Sequence, residues 1–209
     1  MVIAINGSPR KNWNTHTLLT NALEGAKSKE HETELINLYD LNYKGCIACL
    51  TCKKKGSIAK CAMKDDLQSV LEKIEQCDAL ILGSPIYLGE VTGAMRSFME
   101  RLIFQYISYD TDRTPLFSRQ IQTAFIYTMN VPEEVLEKIG YTERFKTNAR
   151  MIETFIGPTR MLVSTETNQI DDYSKYNMTM FNPIERKQRY EEVFPKECQK
   201  AFDMGASMV

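Results

Sequence analysis

The chain has no apolar run close to the roughly 20 residues that a membrane-spanning helix needs. A basic segment followed by a long apolar stretch, as in secretory signals, is also missing, so we expect a cytoplasmic protein without a membrane partner. Acidic and basic residues nearly cancel, to a net charge of −1. This balance disfavours the basic surface typical of nucleic-acid-binding proteins, and no nucleic-acid partner is expected.

Several active-site signatures are absent as well. Neither G-x-G-x-x-G nor G-x-x-x-x-G-K-[ST] follows the first predicted strand, which disfavours a Rossmann dinucleotide site and a nucleoside triphosphatase. Only two histidines are present, and no Ser-His-Asp or Cys-His arrangement is apparent. The sequence therefore does not indicate a triad hydrolase.

Short apolar runs instead alternate with longer amphipathic segments over the 209 residues. This alternation predicts an α/β fold, a three-layer sandwich with helices on both faces of a parallel sheet. Strands are predicted at 2–6, 34–38, 79–83, 123–128 and 160–164. Helices are predicted at 15–28, 65–76, 93–107, 133–155 (broken near Gly140) and 185–204. The commonest five-stranded order is 2-1-3-4-5, in which the loops after strands 1 and 3 lie side by side.

The loop after strand 1 is basic and rich in hydroxyl groups. It reads Asn6-Gly7-Ser8-Pro9-Arg10-Lys11-Asn12-Trp13-Asn14-Thr15 and leads into a helix. Unpaired N–H groups and the positive dipole end of a helix suit a phosphate, to which hydroxyls and basic side chains add donors and charge. A Ser-Pro turn followed by a threonine N-cap explains the same residues without a ligand.

The predicted loop after strand 3, residues 83–93, begins Gly83-Ser84-Pro85-Ile86-Tyr87-Leu88-Gly89. Its rigid turn, aromatic ring and aliphatic side chains suit a flat, largely apolar ring system whose polar edges are served by backbone groups. The alternative is that Ile86 and Tyr87 simply cap the core.

Together the two loops resemble the flavodoxin-like NADPH-dependent FMN reductase family, and Gly93-x3-Ser97-Phe98-x-Glu100-Arg101 is similar to that family's next helix. The resemblance covers most of residues 1–105. It implies a flavodoxin-like fold, FMN as cofactor, NAD(P)H as substrate and a homodimer or homotetramer. It also implies a phosphate site formed by Ser8, Arg10, Asn14 and Thr15, to which Lys11 adds charge, and a flavin border formed by Pro85, Ile86, Tyr87, Leu88 and Gly89.

One residue departs from the family pattern. Trp13 stands where the family usually has glycine. Either the tryptophan adopts a strained positive φ, or the loop bends differently and the indole covers the flavin site or a subunit interface. The turn Thr128-Met129-Asn130 is a further candidate for a flavin contact.

Residues 39–64 form an unusually long connection that contains four of the six cysteines. The pattern Cys46-x2-Cys49-x2-Cys52-x8-Cys61 resembles the motif of the iron–sulfur flavoproteins, a branch of the same family. The resemblance implies a [4Fe-4S] cluster on these four residues. The last spacing is longer than usual in that branch, and a metal-free set of thiols, a zinc site or redox pairing are alternatives.

These inferences predict a single FMN-binding domain over residues 1–209, with a cysteine-rich insertion at about 39–64. Its expected function is that of an FMN-dependent NAD(P)H oxidoreductase, with electrons passing through FMN, and through a cluster where one is bound, to a small-molecule or protein acceptor. No catalytic side chain is predicted, because the flavin supplies the chemistry. The alternative is an iron–sulfur flavoprotein that carries electrons without being an NAD(P)H-dependent enzyme.

Overall fold

The computed structural model describes residues 1–57 and 59–209; residue 58, inside the predicted cysteine-rich insertion, lies outside the described part. The strands are β1 (Val2–Asn6), β2 (Thr33–Asn37), β3 (Ala79–Tyr87), β4 (Glu90–Val91), β5 (Gln122–Thr128) and β6 (Thr159–Ser164). The helices are α1 (Asn14–Lys27), α2 (Leu67–Ile74), α3 (Gly93–Phe104), α4 (Tyr141–Phe155), α5 (Pro183–Glu192) and α6 (Phe194–Ala206). Within the described residues, none of these helices has the length and apolar character that crossing a membrane requires.

Five parallel strands form the sheet in the order β2-β1-β3-β5-β6. This is the predicted order 2-1-3-4-5, because the short β4 pairs only with the end of β3 and stands off the main path. The chain reverses its winding between β1 and β3. The carboxyl ends of the parallel strands all lie at one edge of the sheet. The reversal opens a crevice at that edge, where open α/β proteins bind ligands.

The sheet is the middle layer of three. Successive side chains of a strand point to opposite faces, so Ile3 and Ile5 of β1 pack into a core with α2 and α3. Val2 and Ala4 pack into a second core with α1 and α6. All four side chains are fully buried, which is worth about 1.5–3 kcal/mol for each larger aliphatic one. The flavodoxin-like sandwich is confirmed.

The C-terminal helix packs against α1 at very short range. A Cβ added to Gly205 would lie 1.8 Å from the carbonyl oxygen of Ala22. The single helix predicted at 185–204 is in fact two, α5 and α6. Pro195, at the start of α6, has no N–H for a helical hydrogen bond and its ring crowds the preceding turn, which accounts for the break. Of the helix predicted at 133–155, only the part after Gly140 is an α-helix, because α4 begins at Tyr141 and the residues before it form a short 3₁₀ turn at Glu133–Val135.

The prediction of a loop at residues 83–93 was wrong about the local structure. Strand β3 continues to Tyr87 and turns back into β4 as a hairpin. Its two turn residues, Leu88 and Gly89, have φ values of 51° and 84°. Positive φ at both central positions is the geometry of a type I′ turn, which matches the twist of paired strands. Leucine is an unusual residue for this geometry, so the sequence did not signal the hairpin.

Candidate functional site

The end of β3 and the segments that follow β1, β5 and β6 line one cleft at the carboxyl edge of the sheet. Seven predicted site residues are among its lining: Ser8, Arg10, Asn14, Thr15, Pro85, Ile86 and Tyr87. Thr128, Met129 and Asn130, the candidate third contact, also line it, together with Trp13 and residues 167–169. The two loops that the sequence placed side by side therefore share one space.

Direct hydrogen bonds hold the first loop to the hairpin. The Oγ1 of Thr92 donates to the carbonyl oxygen of Gly7 at 2.7 Å, while the Thr92 N–H donates to Ser84 Oγ at 3.0 Å. The Gly7 N–H donates to the Gly83 carbonyl at 2.8 Å. Gly7 has no room for a side chain, because a Cβ there would lie 2.8 Å from the Cβ of Met95. These contacts fix the spacing between the two sides of the cleft.

Helix α1 begins at the cleft without a capping side chain in the described part of the chain. The N-cap residue is Trp13, with an extended backbone at φ −125°. The strained positive φ considered for this tryptophan is therefore absent, and the loop bends so that the indole lines the cleft. Thr15 is not the N-cap, because it lies inside α1 as its second residue, and its hydroxyl lies 2.8 Å from that of Thr128. The first-turn amides and the positive dipole end thus remain available to an anion.

Three donors of the first loop point at the segment after β6. The Asn168 carbonyl accepts hydrogen bonds from Trp13 Nε1 at 2.9 Å and from Asn14 Nδ2 at 2.7 Å. The Arg10 guanidinium donates to the Gln169 carbonyl and lies 5.4 Å from the centre of the Trp13 ring. This loop is therefore rich in N–H donors directed toward oxygen acceptors.

Three predicted residues lie outside this lining. Lys11 lines a neighbouring cavity and forms an ion pair with Asp40. Leu88 and Gly89 form the tip of the hairpin, where Leu88 is fully exposed. Residues 167–169 were missed by sequence reasoning, since the sequence after β6 carries no motif that points to a ligand.

The four clustered cysteines surround a second, smaller cavity. Cys46, Cys49, Cys52 and Cys61 all line it, and all are free thiols. No group of three or more His, Cys, Asp or Glu side chains within residues 1–57 and 59–209 is arranged to hold a metal ion. The four cysteines therefore share one space without converging on a single point.

The loop that carries these cysteines has an unusual backbone. Ala48 and Leu50, on either side of Cys49, have φ values of 52° and 57°. Non-glycine residues in the left-handed region store strain, which tends to occur at ligand sites. The polar groups of Thr51 beside the sulfur lower the pKa of the Cys49 thiol, whereas burial raises the pKa of Cys52.

Helix α3 forms the other wall of the cysteine cavity. Arg101 is buried there, and its Nε donates to Cys61 Sγ at 3.0 Å. The opposite edge of its guanidinium holds both carboxylate oxygens of Asp65, at 2.8 and 3.2 Å. Burial opposes the charge of Arg101, but the hydrogen bonds and charges of Asp65 and Cys61 outweigh it, and the pKa of the guanidinium is raised.

Two more contacts tie the cysteine loop to α3. The Cys61 N–H donates to Gln105 Oε1 at 3.0 Å. Lys53 Nζ donates to the carbonyls of Gln105 at 3.0 Å and Ile107 at 2.6 Å, just past the C-terminus of the helix. A cation at this position satisfies carbonyls that have no helical partner and complements the helix dipole.

The chain is similar to curated iron-sulfur flavoproteins. The chain is 41% identical over 100 residues to an iron-sulfur flavoprotein of Methanocaldococcus jannaschii, and the match covers 48% of this chain and 50% of that protein. It is 42% identical over 100 residues to an iron-sulfur flavoprotein of Archaeoglobus fulgidus, over 48% of this chain and 47% of the relative. The matches thus span about half the length of each. The predicted resemblance to this branch is confirmed.

Solved structures support the fold. The NAD(P)H:quinone oxidoreductase from Methanothermobacter marburgensis superposes with a TM-score of 0.75 at 15% identity, covering 100% of this chain and 98% of the other. Identity at that level shows a shared fold and nothing further.

The model of the NADPH-dependent FMN reductase family matches residues 1–124, which is more than half of the chain and includes both cleft loops and all four clustered cysteines. This chain therefore belongs to the NADPH-dependent FMN reductase family.

Proposed function

We propose that this protein is a flavin-dependent oxidoreductase that binds FMN in the cleft at the carboxyl edge of the sheet, takes hydride from NAD(P)H and delivers electrons to a small-molecule or protein acceptor. The observation that carries this proposal is the shared cleft, where the first loop and the β3–β4 hairpin are joined through Thr92. One side of this cleft is rich in donors and the other is more apolar. Such a division suits a ligand with an anionic tail and a flat ring.

The residues present fit FMN. The uncapped amides of α1 would hold the phosphate. The side chains of Arg10, Asn14 and Thr15 would add to them, with phosphate oxygens taking the place of the oxygen atoms to which they now hydrogen-bond. Pro85, Ile86 and Tyr87 would border the ring. Bound FMN would supply the hydride and electron transfer, so the chain's own residues need only bind the cofactor, orient it and leave one face accessible.

We further propose that Cys46, Cys49, Cys52 and Cys61 bind a [4Fe-4S] cluster. Their arrangement around one cavity supports this, since a cube binds its four thiolates at four separate iron atoms, whereas a zinc ion needs all four within about 2.3 Å of one centre. The buried Arg101 beside Cys61 would offset part of the negative charge of such a centre. A cluster would allow single electrons to leave toward the acceptor.

We also propose that residues 1–209 form one domain, with its cysteine-rich insertion at about 39–64, and that the protein assembles as a homodimer or homotetramer. The fully exposed Leu88 at the hairpin tip, beside the half-exposed Tyr87, supports a subunit contact near the cleft.

Anaerobic reduction tests the enzymatic part of this proposal. NADH or NADPH added to the purified flavin-loaded protein should bleach the visible flavin absorption band within the mixing time of a manual experiment. The alternative is that the protein carries electrons without being an NAD(P)H-dependent enzyme, and the four clustered cysteines support it. It predicts that neither nucleotide bleaches the flavin band and that a ferredoxin-like donor reduces the protein. A protein that binds no flavin when supplied with FMN would overturn both.

A further inference from the structure

A buried cation stands at the wall of the cysteine cavity. The side chain of Arg101 has no exposed surface, while Asp65, its acidic partner, is 15% exposed. The guanidinium also donates to the Lys44 carbonyl at 3.0 Å. A charged side chain is rarely this buried unless it is fully paired. Here one of its bonds goes to sulfur, through the contact between Nε and Cys61 Sγ at 3.0 Å.

The ion pair between Arg101 and Asp65 has its positive end toward the cysteine cavity. The carboxylate of Asp65 binds the two terminal nitrogens, and the Nε–H edge faces the sulfur. The positive end of the pair is therefore nearer to Cys61 than the negative end. Because charges interact more strongly in a buried site than in water, this arrangement favours extra negative charge on the sulfur side.

A second buried donor lines the same cavity. Gln105 is 2% exposed, its Oε1 is used by the Cys61 N–H, and its Nε2 has no hydrogen-bond partner among the described residues. An orphaned buried amide of this kind indicates a missing acceptor. Gln105 is among the residues that line the cysteine cavity, together with Arg101. Both side chains thus carry N–H groups in the lining of the cavity that the four cysteines share.

We propose that Arg101 is a positioning residue that raises the reduction potential of the cluster held by the four cysteines, with Asp65 limiting and Gln105 adding to its effect. This inference rests on the proposed cluster. The step concerned is the addition of one electron, supplied through FMN from NAD(P)H, with no bond broken and no proton taken up. Hydrogen bonds to cluster sulfurs and nearby positive charge stabilise the reduced form, and both come here from one guanidinium.

Removing the positive charge of Arg101 or the negative charge of Asp65 tests this role, because the two changes should shift the potential in opposite directions. The protein is prepared anaerobically as wild type, Arg101→Gln, Asp65→Asn and the Arg101→Gln/Asp65→Asn double variant. Iron content is measured first, and the midpoint potential of the cluster is then followed by visible absorption and electron paramagnetic resonance. Arg150→Gln, an exposed arginine on α4, serves as the control. Arg101→Gln should shift the potential downward, Asp65→Asn upward, and the double variant should lie between them.

The outcomes separate this inference from the cluster itself. If the wild-type protein holds no iron and sulfide when supplied with both, the cluster and the inference are overturned together. If the wild-type protein holds a cluster, and the midpoint potential of Asp65→Asn equals that of the Arg150→Gln control, the inference fails while the cluster stands. If Arg101→Gln does not fold, Arg101→Lys keeps the charge without the Nε contact, and a potential equal to that of the wild type contradicts the role of the hydrogen bond.

Discussion

The hydroxyl groups of Thr15 and Thr128 lie 2.8 Å apart, so the first turn of α1 meets the end of β5 at the floor of the cleft. Both residues are buried. The pair holds the Thr15 side chain at the N-terminus of the helix, where the amides without a cap also lie. A phosphate at this position would meet donors that are already ordered, which reduces the entropy lost on binding.

Removing the donors of the first loop should release FMN. A hydrogen bond from a charged group contributes about 1.5–3 kcal/mol, so Arg10→Ala should weaken FMN binding by about tenfold or more. The double variant Arg10→Ala/Thr15→Ala should elute from gel filtration without flavin and with an unchanged circular dichroism spectrum. Lys27→Ala, at the exposed far end of α1, is the matched control. Undiminished flavin in the double variant would remove the phosphate assignment.

Cysteine variants should separate the cluster ligands from the remaining thiols. Anaerobically prepared wild-type protein should contain about four iron atoms per chain. Cys49→Ala should lose this iron, because Cys49 lines the shared cavity. Cys198→Ala on α6, another free thiol, should keep it. Equal iron content in the two variants, measured by a colorimetric iron assay, would contradict the ligand set.

The contact between α1 and α6 predicts a local limit on side-chain size. Gly205→Ala would place a Cβ 1.8 Å from the backbone oxygen of Ala22, so the helices must move apart. Overpacking of this kind costs about 1–3 kcal/mol or more, so thermal unfolding should show a melting temperature lower by about 2 °C or more. Gly93→Ala at the start of α3, where a Cβ would meet open space, should melt close to the wild type.

Cys77 should make folding sensitive to alkaline pH. Burial raises the pKa of this thiol to about 11. Because the folded-state pKa is raised, the contribution to stability is complete below the unfolded pKa and is lost as the pH rises through the folded one, between about pH 9 and 11. Between about pH 8 and 10.5 the wild type should lose about 2 kcal/mol more unfolding free energy than Cys77→Val. Urea titrations at both pH values measure this difference, and equal losses would show that the thiol does not titrate as stated.

The sequence was sufficient to predict the sheet order and the position of the cleft. Apolar strands that alternate with amphipathic helices leave few topologies, and parallel strands bring their carboxyl ends to one edge. The meeting of the turn at Ser8 with the strand end at Pro85 follows from that order alone. The cluster of cysteines around one cavity was likewise signalled by their spacing.

Other features depend on tertiary contacts and could not be read in this way. The hairpin depends on a positive φ at Leu88, where turn-forming residues such as Asn or Gly would have given a signal. The contact between Asn168 and the indole of Trp13 joins segments 155 residues apart. The role of Arg101 was hidden for the same reason, because its partners Cys61 and Asp65 lie about 40 residues before it in the chain.

We propose that the cleft binds a riboflavin phosphate by its phosphate as well as by its ring. Trp13 is the only tryptophan in the chain and lines this cleft, so its fluorescence reports what enters. Apoprotein titrated with FMN should lose most of its tryptophan emission, and riboflavin, which lacks the phosphate, should bind at least about a hundredfold more weakly, since two or more charged hydrogen bonds are missing. Equal affinity for the two flavins would show that the cleft does not hold the phosphate, and a tryptophan emission that neither flavin changes would show that the flavin does not bind beside Trp13.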